Sequence, residues 1–173
     1  MLSYIVVVGG IPAYFAQQYQ QQGAQRVSNT LEYIRLHQSE RVAAARERLA
    51  LSWFDYAGSL AAINSQGISS TVLDHMVRSM IDASVEKDEK NNLRQSLLVL
   101  NDFYNQLAIC IESESCDMDS ARTYFSSETA QLSKLYGGWF AQTRATLNIP
   151  DLGVGIETIK SQRQQSSLFD KIF

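Results

Sequence analysis

The sequence predicts an all-α protein: a single N-terminal transmembrane helix followed by an antiparallel helical bundle. Three observations predict it. An apolar run from Leu2 to Ala16 holds no acid or base, and the first Lys, Arg, Asp or Glu of the chain is Arg26. Beyond Arg26 the apolar residues recur in steps of three and four, which is the spacing of one helix face. Nothing later in the chain reads as a partner strand, and an unpaired strand would leave its backbone groups unsatisfied.

The first element is the expected membrane anchor, residues 1–22, with Leu2, Tyr4, Ile5, Val6, Val7, Val8, Ile11, Pro12, Tyr14 and Phe15 as its anchoring side chains. The run alone is shorter than the about 20 residues that cross a hydrocarbon core of roughly 30 Å. The uncharged glutamines and Tyr19 extend it, because amide and aromatic groups are tolerated in the headgroup layer. Pro12 would remove one backbone hydrogen bond and kink such a helix. Two other readings compete. A cleaved signal peptide would need a basic leading region and a small-x-small site, and neither is present. A buried segment of a soluble domain draws support from Ile5-Val6-Val7-Val8 before Gly9-Gly10, since β-branched runs bounded by glycine read as strands. For a spanning helix, Arg26, Arg35 and Arg41 follow the span and no base precedes it. The positive-inside tendency then gives a single-pass inner-membrane protein with a cytoplasmic C-terminal body.

The body, residues 26–148, reads as a bundle. Val42, Ala45, Leu49, Trp53, Tyr56, Leu60 and Ile63 mark one face of a helix ending near Gly67. Leu93, Leu97, Leu100, Tyr104, Leu107 and Ile111 mark a second. Met118, Ala121, Phe125, Leu132, Tyr136, Trp139, Thr143 and Leu147 mark a third. Ser69 or Ser70 can cap a helix over Thr71 to Ala83, Asp117 can cap the one that starts at Met118, and Pro150 stops it. Glu86 to Asn92 reads as a connection. Gly137 and Gly138 fall inside the last long helix at a cost of roughly 1 kcal/mol each relative to alanine, which predicts close packing there against Trp53 or another helix. Residues 149–173 form a tail, partly disordered or docked, with a short helix at Ile156 to Gln164 and apolar Leu168, Phe169, Ile172 and Phe173 near its end.

At 173 residues and a formal charge of -3, the chain has room for one domain and an appendage, and it lacks the basic balance that nonspecific nucleic-acid binding uses. Cys110 and Cys116 have neither a metal nor a redox spacing, so two unpaired thiols and a reducing compartment are expected. His37 has Glu40 within one helical turn, too few ligands for a metal, and reads with His75 as a surface histidine. Gly153-x-Gly155 matches no phosphate-binding pattern. Arg122 and Arg144 are candidates for ion pairs with Asp102, Glu128 or Asp55. No metal, cofactor or catalytic group is expected.

The order of Leu100-Asn101-Asp102-Phe103-Tyr104-Asn105-Gln106-Leu107-Ala108, an acidic turn, and a helix with Tyr124, Trp139, Phe140 and Arg144 resembles an uncharacterised family of bacterial membrane-anchored all-helical proteins. Members are similar in an arginine-bearing helix after the span, here Arg26 to Leu36, then a Leu-Asn-x-Phe-Glu-type helix, then a Trp-x4-Arg helix. Tyr104 stands where that pattern has glutamate, and Leu107-Ala108 arrives one position late. The resemblance implies an anchored helical domain and brings no activity. The expected role is a membrane-tethered accessory or scaffold subunit without catalytic activity, meeting a lipid bilayer and either a protein partner in a membrane complex or its own copies. Trp53, Tyr56, Tyr104, Gly137, Gly138, Trp139, Arg144, Phe169 and Phe173 are the candidate packing or interaction residues. The alternative is a small-molecule or lipid sensor whose pocket is lined by Trp53, Tyr56, Tyr104 and Trp139, and an effector in defence or stress is a third class.

Overall fold

The computed structural model describes residues 2–64, 72, 75, 79–80, 83–85 and 92–160, with the backbone alone for 2–15 and 53–64. Among the described residues four long helices occur: α1 (Leu2–His37), α2 (Glu40–Asn64), α3 (Leu93–Glu112) and α4 (Met118–Leu147). A short helix, α5, follows over 154–160. No strand occurs among the described residues, as the helical periodicity requires. Of the expected helix Thr71 to Ala83, the described positions Val72, His75, Ser79, Met80 and Ala83 are helical. The Glu86 to Asn92 connection, apart from Asn92, lies outside the described residues, as do tail residues Phe169 and Phe173.

The expected anchor and the first helix of the body are one element, since α1 runs unbroken through Pro12 and Arg26. No described helix is long and apolar enough to cross a membrane. This shortfall leaves the expected transmembrane span over 1–22 unsupported. Its cause is compositional: after Ala16 the run gives way to five glutamines within residues 17–22, and each amide dilutes the apolar length that a hydrocarbon core demands.

The core is built from the predicted stripes. Leu97, Leu100, Tyr104 and Leu107 of α3 meet Ala121, Phe125, Tyr136 and Trp139 of α4, and Val42, Ala45 and Leu49 of α2 close a third side. Each buried leucine or phenylalanine contributes about 1.5–3 kcal/mol by leaving water. Phe103, Tyr104 and Phe125 pack edge to face, with centroids 5.0–6.1 Å apart, the arrangement that ring quadrupoles favour.

Helix ends follow side-chain chemistry. Asp117 caps α4, its carboxylate accepting from the Ser120 N–H at 2.7 Å. That bond holds the Asp117 carboxyl below its usual range. Asn148 ends α4 in a left-handed conformation, φ 53°, with its N–H on the Arg144 carbonyl, two residues before Pro150. The chain then turns back onto α3. Asn101 Oδ1 accepts from Gly153 N at 2.5 Å, Asn105 Oδ1 accepts from Gly155 N at 2.7 Å, and Asn105 Nδ2 donates to the Asp151 carbonyl at 2.9 Å. These bonds seat Leu152, Ile156 and Ile159 in the core.

The close packing expected at Gly137 and Gly138 is not found among the described residues. A Cβ on Gly138 meets nothing within 4 Å, and one on Gly137 makes ordinary contacts with Ser133 and Glu157. Gly138→Ala is therefore expected to stabilise the protein by about 0.5–1 kcal/mol through helix propensity alone, read as a rise in thermal midpoint; a fall would reveal a contact at this position.

Candidate functional site

Two polar arrangements join α1 to the bundle. Residues 16–25 of α1 are all exposed, Tyr19 to 82%, and among the residues with described side chains contact with the body begins at Arg26. Among α1 residues with described side chains only Thr30 and His37 are buried, with Tyr33 and Ile34 packed partly against the core. The helix is thus held by hydrogen bonds more than by an apolar face.

The first arrangement is the turn between α3 and α4. Cys110 and Cys116 form a disulfide there, with Cα atoms 5.2 Å apart, which corrects the expectation of two unpaired thiols. The spacing of six residues works because the chain reverses: Glu114 adopts a left-handed conformation, φ 54°, and the Cys110 carbonyl accepts from Ser115 N at 2.9 Å and Cys116 N at 3.0 Å. That geometry brings the two Cα atoms within disulfide range. Because disulfides persist in oxidising compartments, the argument for a reducing one falls with the thiols.

The closed turn faces one stretch of α1. Asn29 Nδ2 donates to the Ser115 carbonyl at 2.8 Å, and the Asp117 N–H donates to Thr30 Oγ1 at 2.8 Å. The same N–H lies 3.3 Å from the Arg26 carbonyl. Arg26 also pairs with Glu114 at 3.0 Å, a largely solvated pair that adds little.

The second arrangement lies two turns further along α1. His37, 4% exposed, sits among rings, with centroids 5.3 Å from Phe103 and 5.2 Å from Phe125. Its Nε2 is 3.0 Å from Glu128 Oε2 of α4, and Arg46 Nε of α2 donates to Glu128 Oε1 at 3.0 Å. The His37 N–H is off the line of an ideal bond, and the Tyr104 hydroxyl interacts with the same carboxylate outside strict bond geometry. Burial alone would raise the Glu128 carboxyl. The His37 bond, the charges of His37 and Arg46, and the Tyr104 contact outweigh burial and hold the carboxyl below its usual value. Burial and the neighbouring carboxylate push the Tyr104 phenol up.

Glu128 opens onto a groove of about 410 Å³ between α2 and α4, floored by Leu49, Leu100 and Leu132 and rimmed by Tyr124 and Gln131. The carboxylate is already matched by two nitrogen groups, so the groove offers no uncompensated charge. No set of three or more His, Cys, Asp and Glu side chains placed to hold a metal occurs among the described residues. The chemistry of the site is that of a lock: it ties the end of α1 to α2, α3 and α4 through one ionised group.

The sequence placed His37 at the surface with Glu40 beside it. The structure buries His37 against Glu128, and Glu40 is exposed. The signal was the stripe Thr30, Tyr33, Ile34, His37, whose spacing marks an inward face. Of the aromatic residues expected to line one pocket, Tyr104 is fully buried and Trp139 borders a different groove with Leu98 and Leu147. The side chains of Trp53 and Tyr56 lie outside the description, as do those of Leu2, Tyr4, Ile5, Val6, Val7, Val8, Ile11, Pro12, Tyr14 and Phe15. Arg122 pairs with Asp119 on its own helix, and Arg144 lies in the last turn of α4, where its carbonyl receives the cap. Comparison with known protein families, with curated proteins and with solved structures finds no match to this chain, so its residues and their geometry carry the functional reading.

Proposed function

We propose that the protein is a membrane-tethered helical accessory subunit, in which the N-terminal part of α1 enters the lipid and the bundle presents a docking body to a larger complex. The observation that carries this reading is the course of α1: a helix with no charge before Arg26 whose residues 16–25 are wholly exposed. An uncharged helix start with an apolar sequence, continued by an exposed stretch before a charged body, matches an interfacial anchor. A segment of this length enters the bilayer without a full crossing, and the arginines after it then impose no topology, because the positive-inside tendency concerns segments that cross. The disulfide supports a bundle on the oxidising face.

On fractionation the full-length protein is expected in the membrane pellet through a high-salt wash, and in a native assembly larger than the monomer. A variant lacking residues 2–16 is expected in the supernatant. Full-length protein in the supernatant, or recovery solely as a detergent-solubilised monomer, overturns the reading.

A further inference from the structure

We infer that the disulfide between Cys110 and Cys116 is a redox clasp that governs how firmly the α1 arm is held to the bundle. The turn it closes is the partner of α1 from Arg26 to Thr30. Ser115 supplies the carbonyl for Asn29, Asp117 supplies the N–H for Thr30, and Glu114 supplies the carboxylate for Arg26. Each of these three residues lies inside the loop or next to it.

The turn depends on the cross-link for part of its shape. Glu114 is a non-glycine residue at positive φ, a conformation that costs of order 1 kcal/mol and persists only when its surroundings impose it. Apart from the disulfide, what imposes it is a set of bonds within the turn: Ser115 N, Cys116 N and the Ser113 hydroxyl to the Cys110 carbonyl, Ser113 N to the Ile109 carbonyl and Glu114 N to the Ile111 carbonyl. Opening the cross-link restores freedom to a short loop whose backbone must be placed to within bonding distance of α1. On the α1 side only Thr30 is buried within this stretch, so little apolar contact remains once the turn relaxes. The next grip, Tyr33 on Phe103 and the Gln106 carbonyl, followed by His37 on Glu128, is independent of the turn. Reduction therefore moves the point where the arm leaves the body from Arg26 to about Tyr33, two helical turns along.

The step requires a dithiol reductant. Its thiolate attacks the Cys110 sulfur, the more exposed of the pair, and Cys116 leaves as a thiolate. The second thiol of the reductant then displaces Cys110. The reductant becomes a disulfide, and its two protons and two electrons end on the two cysteines. An oxidising disulfide donor reverses the sequence.

The test is amide hydrogen exchange on the full-length protein with and without dithiothreitol. Prepared without reductant, the chain is expected to have no free thiol. On reduction, exchange at residues 26–32 is expected to accelerate at least tenfold, with protection in 97–108 of α3 and 125–140 of α4 unchanged. Cys110→Ser with Cys116→Ser is expected to exchange like the reduced protein and to ignore dithiothreitol, and Asn29→Ala is expected to speed exchange in 26–32 with the disulfide intact. Two free thiols in the unreduced protein, unchanged protection of α1, or equal loss across α3 and α4 would each overturn the clasp. The measurement does not depend on where the arm inserts, so failure of the clasp and failure of the membrane tether are distinguishable.

Discussion

Glu128→Ala is expected to lower the unfolding free energy by about 3 kcal/mol, because removing one member of a mostly buried charge group strands the others. His37 would keep an unmatched ring nitrogen among Phe103, Tyr104 and Phe125, and the Tyr104 hydroxyl would lose the carboxylate it interacts with. Arg46 is 41% exposed and can turn to water, which keeps the loss at the lower end for such groups. The pH dependence follows from the direction of the Glu128 shift. Its carboxyl titrates lower in the folded protein than its ordinary 4.5, so the native state gains from the ionised form. That contribution is complete above pH about 4.5 and is lost as pH falls through the lower, folded value. Urea unfolding of both proteins should therefore show a constant difference from pH 7 to 5 that narrows in stronger acid. A difference as large at pH 3 as at pH 7 would mean that Glu128 acts through packing alone.

Gly155→Ala is expected to cost about 3 kcal/mol, the upper part of the range for forcing a methyl group into filled space. A Cβ at this position would stand 2.5 Å from the Tyr104 carbonyl oxygen and 2.6 Å from the Asn105 backbone. Those atoms belong to the middle of α3 and have no freedom to retreat. The short helix α5 must lift instead, and with it go the Asn105 bond to Gly155 and the burial of Ile156 and Ile159. Urea unfolding together with exchange at residues 152–159 would show both effects; a variant as stable as the parent would mean that α3 and α5 do not meet so closely.

Much of the bundle was legible because periodicity reports burial directly. The stripes through Leu97, Tyr104 and Leu107 and through Phe125, Tyr136 and Trp139 are the core, and Asp117 caps where its position before Met118 predicts. What was not legible depends on which helices become neighbours. His37 finds Glu128 across 91 positions of sequence, and no local spacing records that. Asn101 and Asn105 carry no apolar signal, yet their i, i+4 placement lets both reach the backbone of the 151–155 turn. The cysteine pair was misread for a related reason. A spacing of five intervening residues fits a bridge only if the chain reverses between them, and the reversal rests on Glu114 taking a left-handed conformation that glutamate seldom adopts. The glycine pair shows the opposite error, a propensity cost taken to imply a packing reward that Gly138 does not draw from the described residues.

The unbroken course of α1 from Leu2 to His37 fixes an azimuth as well as a distance. In a continuous α-helix each residue turns the direction by about 100°, so any contact made near the start of α1 is phased to the face that carries Thr30 and His37. One residue added among the glutamines would leave both ends chemically intact and swing one against the other by more than a quarter of a circle; seven would nearly restore the original bearing. The bundle is therefore geared to whatever grips the start of the chain.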